Sequence, residues 1–238
     1  SRLKGGPFLA REVSDHKLGA LFLYFPDILN TVMSLAPWEG LAGWLIVIAW
    51  TAAQFVAGWL VADLGSGVIH WAQDRYGSPR WPLVGPIVRD TIRHHRKPRG
   101  FLSKGVLARS GRMFGFAVAV GTAALLIGAP IAFTAALVLG IFVSNEVHAA
   151  AHARPSELPG WVRRLQRAGV IQSPLHHAAH HRALKNVNFC TLTDWTNPVL
   201  ERVRFWRRLE ALIRLSRGIR TRRDPVVRRQ QRRRWRSA

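Results

Sequence analysis

From Leu41 to Leu64 the sequence LAGWLIVIAWTAAQFVAGWLVADL holds one charged residue, Asp63, near its end. A helix of that length suits a hydrocarbon core of about 30 Å, and the tract reads as transmembrane. Composition agrees once its distribution is considered. The chain is 48% hydrophobic yet carries 35 Lys+Arg against 13 Asp+Glu, a formal charge of +22. A charged disordered chain would lack the apolar residues, and an ordinary soluble domain would not concentrate them under so much charge. The two populations must therefore occupy different stretches. A single cysteine, Cys190, excludes an intramolecular disulfide framework and a cysteine-based zinc site.

A second apolar tract runs from Met113 to Val147 and is broken by Gly128 and Pro130. Proline inside a helix removes a hydrogen bond at a cost of roughly 3 kcal/mol, so two helices joined by a tight Ile127 to Pro130 turn are expected. Each arm is short for a full span. Either the helices continue past the membrane on one side, or one long kinked helix crosses at a steep tilt. The segment Leu18 to Ala36 is a weaker candidate, interrupted by Pro26, Asp27 and Asn30. Basic residues precede it, fill Arg75 to Arg112 and dominate everything after Arg154, while Pro37 to Gly40 and Gly128 to Pro130 hold none. The positive-inside rule then puts every basic segment on the cytoplasmic face. Four crossings with both termini inside satisfy this, as would two re-entrant hairpins. The first residues, SRLKGGPFLAREVSDHK, lack the apolar core of a cleavable signal. The expected fold is an all-α integral membrane protein of about four transmembrane helices, with a cytoplasmic helical cap carrying a histidine-rich dimetal site. Residues 1–17 form a basic N-terminal segment, 18–213 the membrane-embedded domain and 214–238 an arginine-rich tail.

Of ten histidines only His16 stands apart, on a polar stretch where it is expected to be solvated. His70 lies at the end of the first apolar helix, with Asp74 four residues on and on the same helical face. His94 and His95 precede Pro98, which ends any helix there. His148 and His152 are an i, i+4 pair at the end of the second apolar tract, with Asn145 one turn earlier. In SPLHHAAHH the same spacing occurs twice, as His176 with His180 and His177 with His181. Imidazoles at i, i+4 place two nitrogens on one metal, and imidazole suits iron, copper, nickel or zinc. Nine clustered histidines exceed the capacity of one ion. The count favours two metals near the cytosolic membrane surface. A hydrolytic zinc pair generally mixes carboxylates with histidines, and Asp74 is the only carboxylate in register with a cluster. A histidine-rich pair of irons can instead bind O₂ and supply an oxidant for unactivated C–H bonds. An alkyl chain from the bilayer is the matching substrate.

Several runs together resemble one family. They are ADLGSGVIHWAQDRYG from Ala62, the His94, His95 and Pro98 group, NEVHAAAH, HHAAHH, and NFCTLTDWTNPVLERVRFWRRLE from Asn188. In content and order they are similar to the CarF-type, plasmanylethanolamine desaturase-like lipid desaturase family, over about Ala62 to Glu210. The final FWRRLE matches the animal members, whereas Ala149 to Ala151 replace an aromatic residue found there. The resemblance implies a membrane-embedded non-haem di-iron enzyme using O₂ and two electrons from an external donor such as cytochrome b5 or ferredoxin. It implies removal of hydrogens from the 1-O-alkyl chain of a plasmanyl phospholipid to give a vinyl ether. The ligands it implies are His70, His94, His95, His148, His152, His176, His177, His180 and His181, with Asp74 as a ligand or acceptor. Asp63, Asn145 and Asn197 fall under the match as outer-sphere candidates.

Other readings remain open. Asp63 is either a helix-end hydrogen-bonding residue or a carboxylate that orients an imidazole. Trp38, Trp44, Trp59 and Trp71 read as interfacial anchors rather than substrate contacts. Cys190 reads as a small buried residue. The basic tail most simply lies on anionic headgroups, which attract each basic residue by about 1 kcal/mol; it could also steer an acidic electron donor. No specific nucleic-acid partner is expected. The rival functions are an acyl-chain desaturase or hydroxylase on the same metals, and a non-catalytic metal-binding membrane protein.

Overall fold

The computed structural model describes residues 40–182 and 186–222, so the Leu18 to Ala36 segment, Trp38, His16 and the tail beyond Arg222 lie outside the described residues. The chain forms two compact units, Ser1–Trp50 and Thr51–Ala238. Of the first, only the opening turns of a helix are described. That helix, α1 (Leu41–Arg75), has 35 residues and runs well past the apolar tract. At 1.5 Å per residue it is about 52 Å long, so its last three turns extend beyond Leu64 and carry His70 and Asp74.

Helix α2 (Gly85–Arg96) begins with Pro86 in its first turn and stops two residues before Pro98, where a short 3₁₀ turn (Pro98–Phe101) takes over. Helices α3 (Val106–Leu126) and α4 (Ile131–His152) form an antiparallel hairpin. The turn between them is built as a Schellman motif. Gly128 takes a left-handed φ of 80°, its N–H bonds to Leu125 O at 2.9 Å, and Ala129 N–H bonds to Ala124 O at 2.9 Å. The Met113 to Val147 tract is thus two helices, and both gain length at their basic ends, beyond the apolar run. Four shorter helices follow: α5 (Gly160–Arg167), α6 (Pro174–Arg182), α7 (Thr196–Arg202) and α8 (Phe205–Arg217).

Among the described residues, α1 and α4 are long and apolar enough to cross a membrane. Helix α3 is not, because Arg109 and Arg112 occupy its first two turns. Of the four expected crossings, Leu18 to Ala36 lies outside the described residues, two correspond to α1 and α4, and the fourth corresponds to α3, a shorter apolar companion. The apolar faces of these helices are not used up by packing. Phe55, Val56 and Val61 on α1, and Phe114, Phe116 and Leu125 on α3, are exposed. A soluble core helix would bury such residues, so this surface calls for lipid.

Helices α1 and α4 touch through small residues. A Cβ on Gly58 would collide with the Phe133 carbonyl, and one on Gly140 would lie 2.6 Å from Ala62 Cβ. Close backbone approach of this kind is how helices associate where lipid removes the hydrophobic drive. Around the contact lies a core of Ala62, Leu137, Val147, Val162, Ile171 and Leu192. A second cluster joins Trp71, Phe189, Cys190 and Trp206. Trp71 therefore corrects the interfacial-anchor reading. It is buried, stacks on Trp206 with ring centroids 5.8 Å apart, and donates from Nε1 to Glu210 at 3.2 Å. Helix α8 supplies both partners, which no local feature around Trp71 announces. Trp59 is half-buried against the first cluster, whereas Trp44 is exposed.

Two glycine substitutions of equal chemistry should have opposite signs. Gly140→Ala is expected to destabilise by about 1–3 kcal/mol through overpacking. Gly115→Ala, with open space around its Cβ position, should be neutral or gain about 0.5–1 kcal/mol. Thermal unfolding in detergent measures both.

Candidate metal centre

The histidine-bearing helices deliver their side chains to two adjoining groups. His94, His148, His152, His177 and His181 form the first; His70, Asp74, His95 and His180 form the second. Within each group one ligand-type atom per residue lies within 4.8 Å of all the others. The i, i+4 spacings explain the intrahelical part: α1 brings His70 and Asp74, α4 brings His148 and His152, and α6 brings His177 and His181. Adjacent histidines on α2 point to different groups. The two groups abut, with the His70 and His148 rings 5.7 Å apart and those of His94 and His95 5.6 Å apart.

The separations fit metal ligation. Two nitrogens at about 2.0–2.1 Å from one ion would be about 2.8–3.0 Å apart at right angles to each other, and about 3.3–3.4 Å apart at the tetrahedral angle. Nε2 of His148 is 3.1 Å from that of His94 and 3.0 Å from that of His177; His152 to His94 is 3.1 Å and His181 to His177 is 3.0 Å. In the second group Asp74 Oδ2 lies 3.1 Å from His95 Nε2, 3.3 Å from His180 Nε2 and 3.4 Å from His70 Nε2. His70 Nε2 is buried and makes no hydrogen bond, a state that a bound cation would relieve. Burial, reinforced by the neighbouring imidazoles, pushes His94 down to about 2 and lowers His177 and His181 as well. These rings are neutral at physiological pH, with lone pairs available for metal.

A strap, residues 187–193, fixes two of the imidazoles from behind. His70 Nδ1 lies 3.1 Å from Phe189 O, and His180 Nδ1 lies 2.8 Å from Val187 O. A carbonyl only accepts, so each Nδ1 carries the proton and each Nε2 lone pair faces the site. The strap is itself tied down. Asp63 accepts from Leu192 N at 2.8 Å and Thr193 Oγ1 at 2.6 Å; Ser66 Oγ accepts from Thr191 N at 3.0 Å. Asn197 accepts from Cys190 N at 3.0 Å and donates to Cys190 O at 2.8 Å, and Gln172 donates to the same carbonyl at 2.6 Å. Asp63 thus acts on the backbone that orients His70, and touches no imidazole directly. Cys190 is buried against Gly67, and burial raises its thiol pKa.

His176 is set outside both groups. On a helix with about 100° per residue, His177, His181 and His180 span one arc of about 100° and His176 falls beyond its edge. Its Nε2 instead accepts from Asn197 Nδ2 at 3.0 Å. Asn145 also stays away from the rings and donates to Arg109 O at 2.7 Å. Residues that sequence reasoning passed over hold the helix ends. Glu146 accepts from Arg109 at 2.6 Å and Ser110 at 2.6 Å, locking α3 to α4. Arg99 bonds the His152 carbonyl at 3.1 Å and Glu157 at 2.6 Å. Arg222 bonds the carbonyls of Gln73 and Asp74, closing the end of α1. Glu146, a lone acid in an apolar helix, could have been noticed; Arg99, Gln172 and Arg222 carry no local signal.

A cavity of about 290 Å³ reaches both groups, lined by His70, His94 and His148 together with Ile69, Ile87, Phe101 and Met113. Residues 59–224, which hold every residue of the two groups and of the strap, match the lipid desaturase domain. The chain belongs to the lipid desaturase family. It is 36% identical over 175 residues to fatty acid desaturase 4-like 2, chloroplastic, of Arabidopsis thaliana, covering 70% of this chain and 61% of that protein. It is 32% identical over 184 residues to plasmanylethanolamine desaturase 1 of Mus musculus, covering 72% and 68%. With the plasmanylethanolamine desaturase of Myxococcus xanthus it shares 28% over 192 residues, covering 77% and 66%. The match thus spans about three-fifths of the length of the first chloroplast relative. No solved structure matches.

In this lipid desaturase family member, His181→Ala should release metal from the five-histidine group and Asp74→Ala from the other, whereas His176→Ala should retain both. Metal analysis of the purified variants reads the difference, and metal loss in His176→Ala would count that residue among the ligands.

Proposed function

We propose that the protein is an O₂-dependent lipid desaturase whose two ligand groups hold two non-haem irons. The substrate proposed is the 1-O-alkyl chain of a plasmanyl phospholipid, converted to the 1-O-alk-1'-enyl form. The observation that carries the reading is the convergence of eight imidazoles and one carboxylate beside a partly apolar cavity, within a lipid desaturase domain. The nine ligands would be His70, Asp74, His95 and His180 for one iron, and His94, His148, His152, His177 and His181 for the other. When bound, the irons supply an O₂-derived oxidant able to remove hydrogen from an unactivated chain. The balance is one O₂, two hydrogens from the lipid, and two electrons with two protons from an external donor, giving the alkene and two waters.

The chain's own residues contribute position and protection. The Phe189 and Val187 carbonyls hold His70 and His180 with their Nε2 atoms inward. Asp74 places one negative charge among three imidazoles and offsets part of the metal charge. Ile69, Ile87, Phe101 and Met113 line the cavity with apolar surface suited to an alkyl chain and hostile to water. Four crossings with both termini and the metals at the cytoplasmic face complete the picture, and put the site within reach of a soluble or membrane-anchored donor such as ferredoxin or cytochrome b5. His176, Asp63 and Asn197 serve through the strap.

A second reading, an acyl-chain desaturase, is favoured by the 36% identity to a protein named fatty acid desaturase. Lipid extracts from cells that contain alkyl-ether lipids, with and without the protein, separate the two. Acid treatment releases aldehydes only from vinyl ethers; their O₂-dependent appearance supports the plasmanyl reaction, and a new acyl double bond without aldehyde supports the alternative. His152→Ala and His180→Ala should each lower product below detection, whereas a metal-binding protein without turnover would give no product with any variant.

A further inference from the structure

The cavity that reaches the histidines has a second chemical character. Arg93, Lys97, Lys104, Arg109 and Arg112 also line it, against a single carboxylate, Asp90. Three of these cations are engaged. Lys104 lies 3.2 Å from Asp90 and Arg93 lies 3.5 Å from it. Arg109 is bound by Glu146 at 2.6 Å and by the Lys104 carbonyl at 2.6 Å. Among the described residues, Lys97 and Arg112 make no ion pair and no side-chain hydrogen bond. They come from separate elements, Lys97 from the end of α2 and Arg112 from α3, and both are exposed.

We propose that Lys97 and Arg112 form an anion subsite for the phosphodiester of a membrane glycerophospholipid, with the lipid chain running from it toward the histidines. Arg112 directly precedes Met113 and so stands at the polar edge of the apolar run of α3, the place where a bilayer around that run would present phosphates. Guanidinium and ammonium groups bind phosphate oxygens by charge-assisted hydrogen bonds. Cations and imidazoles share one cavity, so the anchored phosphate sets the register of the chain, and the carbons opposite the metals are counted from the headgroup rather than from the methyl end. The inference rests on the desaturase reading for the chain's destination, but the anion subsite stands on its own residues.

The test is equilibrium lipid binding by the purified full-length protein in neutral detergent, read as lipid retained per chain. The probes are 1-O-hexadecyl-2-oleoyl phosphatidylethanolamine and the matching 1-O-hexadecyl-2-oleoylglycerol, which lacks the phosphate. Lys97→Gln and Arg112→Gln should each weaken retention of the phospholipid by about tenfold, the loss of one charge-assisted contact. The double variant should abolish the preference over the phosphate-free lipid. Arg217→Gln, on the exposed face of α8, should change nothing, and unchanged metal content in every variant would show that the fold is intact. Equal retention of the two lipids by the unaltered protein overturns the proposal. So does displacement of the phospholipid by millimolar inorganic phosphate or by free oleic acid as readily as by phospholipid, which would mark a site for free anions. Weakened binding in the variants with no desaturation of any lipid by the unaltered protein would keep the subsite and remove the desaturase reading; desaturation of phospholipid with unchanged binding in the variants would do the reverse.

Discussion

Gathering eight imidazoles and a carboxylate into one cluster, with Asp74 and four of the histidines buried and the rest partly so, is the constraint around which this protein is arranged. Polar nitrogens taken from water without partners are costly, and imidazoles packed so closely cannot all be protonated. Convergence of the lone pairs on cations and acceptors for the N–H groups both lower that cost. The strap at residues 187–193 answers the second need for His180 and His70 with the Val187 and Phe189 carbonyls, whereas the buried Nδ1 atoms of His94 and His177 have no hydrogen-bond partner. Asp63, Ser66, Gln172 and Asn197 then appear as consequences, because a non-helical strap packed in the interior must satisfy its own backbone. Gly67 leaves the room for Cys190 to approach α1.

The same demand explains the lengths of the helices. A helix that only crossed the apolar layer would end near Leu64 and leave nothing to carry ligands. Helix α1 continues to Arg75, and Arg222 returns from the far end of the described chain to bond its terminal carbonyls. Helix α4 likewise ends at His152, whose carbonyl is taken by Arg99. Arginine caps at the ends of α1 and α4 match the negative pole of the helix dipole and hold the last turns in shape. Part of the basic excess is thereby structural. The proposed phosphate subsite draws on another part, at the mouth of the cavity rather than in the metal groups.

Periodicity revealed much of the site because its ligands are mostly intrahelical pairs. His148 with His152, and His177 with His181, sit in one group as their spacing requires, and His70 shares the other with Asp74. Periodicity also stops short at specific residues. His176 and His180 have the same spacing, yet His180 enters the second group and His176 turns to Asn197. Spacing fixes a shared face and leaves open what that face meets. Trp71 shows the same limit, since its neighbours come from a helix more than a hundred residues later.

The sequence by itself determined the helical class, the apolar tracts, the break at Gly128 and Pro130, and the presence of clustered histidines in numbers suited to two metals. Each of these follows from short-range rules of hydropathy, proline geometry and helical period. Only the tertiary structure decided how the histidines divide, five in one group and three with Asp74 in the other, and that the strap rather than Asp63 orients His70. It alone also joined Lys97 and Arg112 to the cavity of the histidines. These outcomes depend on contacts between residues far apart in the chain, which local pattern does not encode.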